Sequence, residues 1–182
     1  MELWNTVPTE WKIDRDSNLM SAKCFNGCNC ELIRYKSNKL PNRKKYTNTG
    51  SPRRKAGVFM TSTDKKILIV QSRGRLWGVP KGGIEEGETE KECAFRELEE
   101  ESGVRIDHTR VTLDGEIFMN NGKYFCIANQ PEHAASLDDI YDSTGVGWIS
   151  YKCLTHFINR KLIRITSDFS RMLKLKRAES VI

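Results

Sequence analysis

No apolar run in the chain approaches the roughly 20 residues that a helix needs to cross a bilayer, and the expectation is a soluble protein without a membrane partner. The opening residues Met1-Glu2-Leu3-Trp4-Asn5 lack the pattern of a secretory leader, so the expected compartment is the cytoplasm, with the nucleus as the alternative. Internal repeats are not apparent. Cysteine is limited to six residues, and outside a first cluster they are scattered, which argues against a disulfide scaffold and for reduced thiols. A length of 182 residues suffices for one core with a small appendage, but hardly for two full domains.

Acidic residues are missing altogether from Arg34 to Lys55, where Lys44, Lys45, Arg53 and Arg54 stand among nine basic residues and Pro, Gly and Asn punctuate the chain. Two readings are open for this stretch. It is a flexible solvated connection, or an arm that tracks the phosphates of RNA or another polyanion. The expected organisation is an N-terminal extension over residues 1–55, holding the cysteine cluster and the basic arm, followed by a main domain over residues 56–182. The extension contains Trp4, Trp11 and Phe25, enough aromatic material to pack onto that domain. A second basic set, Lys152, Arg160, Lys161, Arg164, Arg171, Lys174, Lys176 and Arg177, falls in the C-terminal segment. It reads either as an ordinary amphipathic surface or as a second polyanion contact.

A fourth ligand is what the cluster Cys24-x3-Cys28-x-Cys30 lacks nearby. The three histidines, His108, His133 and His156, are far downstream. A zinc site completed from a distance stands beside the plainer reading, a turn through Asn26-Gly27 flanked by semi-buried thiols.

The pattern of apolar and turn residues predicts strands over 57–62 and 66–72 joined at Thr63-Asp64-Lys65, and a short strand over 76–79. A hairpin of 115–119 and 123–128 is expected around Asn120-Asn121-Gly122, with a further strand at 146–149. From about Tyr151 to Ala178 the recurrence of Leu154, Phe157, Ile158, Phe169, Met172 and Leu173 predicts helix.

Between Thr89 and Gly103 lies a run of helix formers with a stop at its end. At about 100° per residue, Glu97, Glu100 and Glu101 fall within roughly 100° of arc beside an apolar stripe of Ala94, Phe95 and Leu98, while Glu92, Arg96 and Glu99 point elsewhere. Like charges at these spacings repel. Such a stripe is either a plain solvated acidic face or a seat for a divalent cation, whose preference for oxygen ligands the carboxylates suit.

The stretch from Gly82 to Val104 fits G-x5-E-x7-R-E-U-x-E-E-x-G-U, with U apolar, and in this it resembles the Nudix hydrolases. The resemblance implies an α/β/α sandwich with a mixed sheet over about residues 56–178. It also implies hydrolysis of a phosphoanhydride with Mg2+ or Mn2+ held by Glu97, Glu100 and Glu101, and the Lys81 carbonyl as a further ligand. Gly82, Glu88, Arg96 and Gly103 would have structural roles, Glu88 and Arg96 as an ion pair holding the glycine loop to the helix. The segment Ile67-Leu68-Ile69-Val70-Gln71 followed by Leu76-Trp77-Gly78-Val79-Pro80-Lys81-Gly82-Gly83 is most similar to mRNA-decapping Nudix enzymes, and the compact ones of large DNA viruses match in scale. Capped RNA is then the expected substrate, with Lys44, Lys45, Arg53, Arg54, Lys161, Arg164, Arg171 and Lys174 as RNA contacts. Asp139, in an acidic-apolar pair before a Trp-containing strand, is the preferred general base, with Asp138 and Asp142 close by. The alternatives are a hydrolase of diphosphoinositol polyphosphates or dinucleoside polyphosphates, and an inactive RNA-binding module.

Overall fold

The computed structural model of the chain describes residues 10–24, 28–36, 53–72, 76–132 and 143–179. The N-terminal strands are β1 (Lys12–Ile13), β2 (Leu19–Lys23) and β3 (Glu31–Tyr35). The central ones are β4 (Lys55–Ser62), β5 (Lys66–Ser72), β6 (Leu76–Gly78) and β7 (Lys81–Gly83), which lead into helix α1 (Glu90–Ser102). Then come β8 (Gly115–Met119), β9 (Gly122–Gln130), β10 (Ser143–Ser150), α2 (Tyr151–Asn159), β11 (Arg164–Ile165) and α3 (Ser167–Ala178).

The main strand order is β1-β2-β3-β10-β5-β4-β9-β8. Strands β4 and β9 run parallel, whereas β10 is antiparallel to both β3 and β5, so the sheet is mixed. Strands β4 and β5 pair only at Thr61 and Ile67, beside the turn that joins them, and then diverge. The following chain crosses the gap. Strand β6 pairs with β5 through Val70 and Gly78, and β7 pairs with β4 from Lys55–Gly83 to Gly57–Lys81. This crossing carries the glycine loop onto the edge of β4, where α1 packs.

Side-chain alternation divides the strands between two cores. Ala56, Val58 and Met60 of β4, Leu68 and Val70 of β5, and Val146 and Trp148 of β10 meet Ala94, Phe95 and Leu98 of α1. Phe59, Ile67, Ile69 and Ile149 face the other way, onto Leu154 and Phe157 of α2 and Phe169 and Met172 of α3. Strands covered on both faces read as continuous apolar runs rather than alternating ones, which is why β5 is the plainest strand in the sequence. The α/β/α arrangement follows.

Two local differences from the sequence reading have physical causes. The C-terminal segment is not one helical stretch. After α2 the chain turns through Lys161 at φ 59°, β11 runs parallel to β6, and Thr166 starts a new helix by accepting the Phe169 N–H at 3.3 Å. The described part of the N-terminal segment also joins the sheet, since β3 pairs with β10 from Glu31–Trp148 to Arg34–Gly145. Trp11 stacks on Trp77 with ring centroids 6.2 Å apart, and its indole N–H donates to the Leu162 carbonyl at 3.0 Å. The Asn26-Gly27 turn, Trp4 and Phe25 lie outside the described residues.

Leu98 is fully buried between α1 and the sheet. Leu98→Ala should cost about 2–5 kcal/mol through lost burial and the cavity left behind, measured by urea denaturation. A loss below about 1 kcal/mol would show that α1 does not close this core.

Candidate active site

Helix α1 is fixed at both ends. Thr89 accepts the Glu92 N–H at 3.2 Å while Glu92 accepts the Thr89 N–H at 2.8 Å, a reciprocal capping box. Gly103, at φ 74°, ends the helix and donates to the Glu99 carbonyl, a conformation that favours glycine. Between these caps the helix has little freedom to rotate, and its carboxylates are placed against β7.

Glu97 and Glu101 are only 5% and 3% exposed. Glu101 accepts the backbone N–H of Lys81 at 2.9 Å. The Glu97 carboxylate occupies the space that a side chain at position 82 would need, so Gly82 is required for close approach rather than for backbone freedom. Glu100 is more open, its side chain 35% exposed. Burial, reinforced by the neighbouring Glu97 charge and opposed by Lys81, pushes the Glu101 carboxyl up to about 8.

Arg96 ties these groups together. Its Nε and Nη2 bind the two oxygens of Glu88 at 2.8 and 3.0 Å, a bidentate pair. Its Nη1 reaches Glu97 at 2.9 Å and Glu100 at 3.0 Å, and Nη2 donates to the Gly83 carbonyl at 3.2 Å. The helical wheel points Arg96 away from the carboxylate stripe. The structure differs because the long side chain swings back across one turn, and the i,i+4 spacing to Glu100 was the signal for it. The Glu88 carboxyl is held below its ordinary value, chiefly by the Arg96 hydrogen bonds.

These donors fit a hard divalent cation. Two of the three carboxylates are withdrawn from water, they stand side by side on α1 against Lys81 and Gly82, and their mutual repulsion is only partly offset by Arg96. An open cleft of about 740 Å³ is lined by Glu88 and Arg96 together with Phe95, Glu99 and His108, but by neither Glu97 nor Glu101.

The other expected site residues separate into groups. Asp139, Lys44 and Lys45 lie outside the described residues. Arg53 and Arg54 lead into β4 beside β7, with Arg53 alongside Gly83 and the Arg54 carbonyl accepting the Ile84 N–H at 3.0 Å. Arg54 is paired with Glu90, which Lys123 also approaches at 3.6 Å. Lys123 was not anticipated, since it follows the hairpin turn with no motif around it. Lys161, Arg164, Arg171 and Lys174 are exposed, in the turn after α2, on β11 and on α3, and α3 packs on the face of the sheet opposite α1. Lys176 is buried and paired with Glu179 at 2.7 Å, which removes it from the basic surface read along this segment.

Comparison with known proteins agrees with this fold. Residues 51–138 match the NUDIX domain. The chain is 35% identical over 133 residues to "Putative hydrolase 111R" of Invertebrate iridescent virus 3, covering 71% of this chain and 77% of that protein. It is 41% identical over 56 residues to the RNA pyrophosphohydrolase of Erythrobacter litoralis, a match spanning 29% of this chain and 34% of that enzyme. Among solved structures, a bifunctional NMN adenylyltransferase/ADP ribose pyrophosphatase from Francisella tularensis superposes with a TM-score of 0.53 at 21% identity, covering 72% of this chain and 43% of that one. DR0079 from Deinococcus radiodurans gives 0.52 at 16% identity, covering 72% and 88%. The matching domain and the hydrolase-named relative make the chain a phosphoanhydride hydrolase. The chain belongs to the NUDIX domain family.

Two predictions follow from the buried carboxylates and their brace. In the metal-free protein the folded chain keeps a proton on Glu101 that the unfolded chain releases above the ordinary 4.5. Stability in chelator should therefore fall as pH rises from about 5 toward 8. Glu101→Gln should flatten that fall in thermal melts, and equal slopes in parent and variant would refute the assignment. Arg96→Ala should remove about 3 kcal/mol of stability by leaving Glu88 and Glu97 uncompensated, and lower activity with it. A variant that melts like the parent but binds substrate weakly would mark Arg96 as a substrate contact instead.

Proposed function

We propose that the chain removes the 5′ cap from RNA, hydrolysing a phosphoanhydride to release methylated guanosine diphosphate and RNA with a 5′-monophosphate. The observation that carries this reading is the placing of a buried carboxylate pair beside a strand entry bearing Arg53 and Arg54, with a second set of exposed basic residues further along the chain. An acidic site flanked by positive charge suits a polyphosphate end attached to a long polyanion. The local similarity to an enzyme named for RNA pyrophosphate hydrolysis supports the same direction.

In this reading Glu97, Glu100 and Glu101 hold Mg2+ or Mn2+, with the Lys81 carbonyl as a further ligand. When bound, the ion neutralises phosphate charge and lowers the pKa of a coordinated water. The protein's own contribution is positional. Lys81 N–H fixes the Glu101 carboxylate, Gly82 lets Glu97 approach, and Arg96 with Glu88 holds the loop that aligns them. Asp139 is the proposed general base. Lys44, Lys45, Lys161, Arg164, Arg171 and Lys174 are proposed to hold the RNA body.

The test compares cap-labelled RNA, 5′-triphosphate RNA, a free cap dinucleotide, a dinucleoside tetraphosphate and a diphosphoinositol polyphosphate, each with Mg2+ and Mn2+. Capped RNA should be cleaved far faster than the cap dinucleotide, since remote contacts position the reacting end. That advantage should shrink with salt, by a slope of about −0.7 per phosphate contact. Reversing Arg164, Arg171 and Lys174 to Glu should lower RNA cleavage about tenfold or more while leaving small-substrate turnover unchanged. Equal rates on dinucleotide and long RNA, with little salt dependence, would instead favour a small-molecule pyrophosphohydrolase.

A further inference from the structure

Away from the carboxylates, four of the six cysteines converge on one place. Cys24 follows β2, Cys28 and Cys30 precede β3, and Cys153 lies in the first turn of α2, more than 100 positions away in sequence. The sulfurs of Cys24, Cys28 and Cys153 all lie within 4.8 Å of one another, those of Cys28 and Cys153 only 3.1 Å apart. The Cys30 sulfur lies beside this group, donating to the Cys28 carbonyl at 3.7 Å. The sequence showed three thiols without a local fourth ligand, and the fold supplies that ligand from α2.

We propose that Cys24, Cys28, Cys30 and Cys153 bind a structural zinc ion that staples the N-terminal hairpin to helix α2. Zinc–sulfur bonds of about 2.3 Å in a tetrahedron set sulfurs about 3.8 Å apart, close to the separations found among Cys24, Cys28 and Cys153, with Cys30 next to them as the fourth donor. The surroundings suit the ion. Cys24, Cys30 and Cys153 are buried, which favours a closed structural site over an open catalytic one. The Ser150 N–H donates to the Cys30 sulfur at 3.2 Å, a contact that orients a thiolate and stabilises its charge. Cys153 stands at the amino end of α2, where the helix dipole favours negative charge. The backbone is held independently of any ion, as the Cys24 N–H donates to the Cys30 carbonyl at 2.9 Å and Ser150 caps Cys153 at 3.2 Å. Soft thiolate donors select zinc over the hard cation proposed for the glutamates, so the two sites would not compete.

The test uses the full chain, produced without a polyhistidine tag and purified without chelator. Native mass spectrometry and elemental analysis should find about one zinc per chain. Exchange for Co2+ should give the ligand-field bands of a tetrahedral site with a thiolate-to-cobalt charge-transfer band scaled to four sulfurs. Cys28→Ser and Cys153→Ser should lose the zinc and melt at lower temperature, while Cys126→Ser, outside the cluster, keeps it. Should the cluster variants fail to fold, the wild-type metal content and cobalt spectrum decide alone. Reduced wild-type protein that carries no zinc and gives no thiolate–cobalt band would overturn the proposal. So would a Cys28–Cys153 disulfide found on peptide mapping of the unreduced protein.

Discussion

Three glutamates within about one turn of each other, two of them almost fully buried, can remain ionised together only beside positive charge, and most of the site's architecture answers that constraint. Arg96 meets part of it from within the helix, binding Glu88 with two nitrogens while reaching Glu97 and Glu100 with the third. The Lys81 N–H meets another part at Glu101. What remains unbalanced shows in the Glu101 carboxyl, which burial and the adjacent Glu97 push far up. A divalent cation resolves that imbalance, and the chemistry proposed for the protein depends on it.

The fold's contribution is to place the glycine loop over those carboxylates. Because β4 and β5 separate after one paired residue, the segment 76–83 can leave β5 as β6 and arrive on β4 as β7. Gly57, Pro80 and Lys81 then sit in close contact, and the Val58 N–H holds the Pro80 carbonyl at 3.0 Å. Helix α1 seals the same edge with Ala94 and Leu98, so the apolar stripe that stabilises the domain also sets the depth of Glu97 and Glu101. Stability and site geometry are thus carried by neighbouring stripes of one helix.

Much of this was legible in the sequence where local chemistry dictates structure. The run of helix formers after Thr89, the glycine stop at 103 and the apolar run of β5 announce themselves locally, and the helix and central strands stand where those signals put them. Long-range consequences were not legible. Nothing around Cys153 marks it as a neighbour of Cys28, because the contact arises only when β3 pairs with β10 and α2 follows directly from β10's end. The break between α2 and α3 was hidden for a similar reason. Ile163 and Ile165 continue the apolar pattern, yet the parallel pairing of β11 with β6 overrides it. Lys176 read as a surface cation, but the packing of α3 buries its stem and pairs its head with Glu179.

The central claim, that Glu97 and Glu101 together seat a divalent cation, is open to a direct measurement that needs no substrate. Mn2+ titration followed by electron paramagnetic resonance of the free ion should show saturable binding to the parent protein near neutral pH. The account predicts that this binding is lost in the folded double variant Glu97→Gln, Glu101→Gln. Undiminished Mn2+ binding by that variant would contradict it.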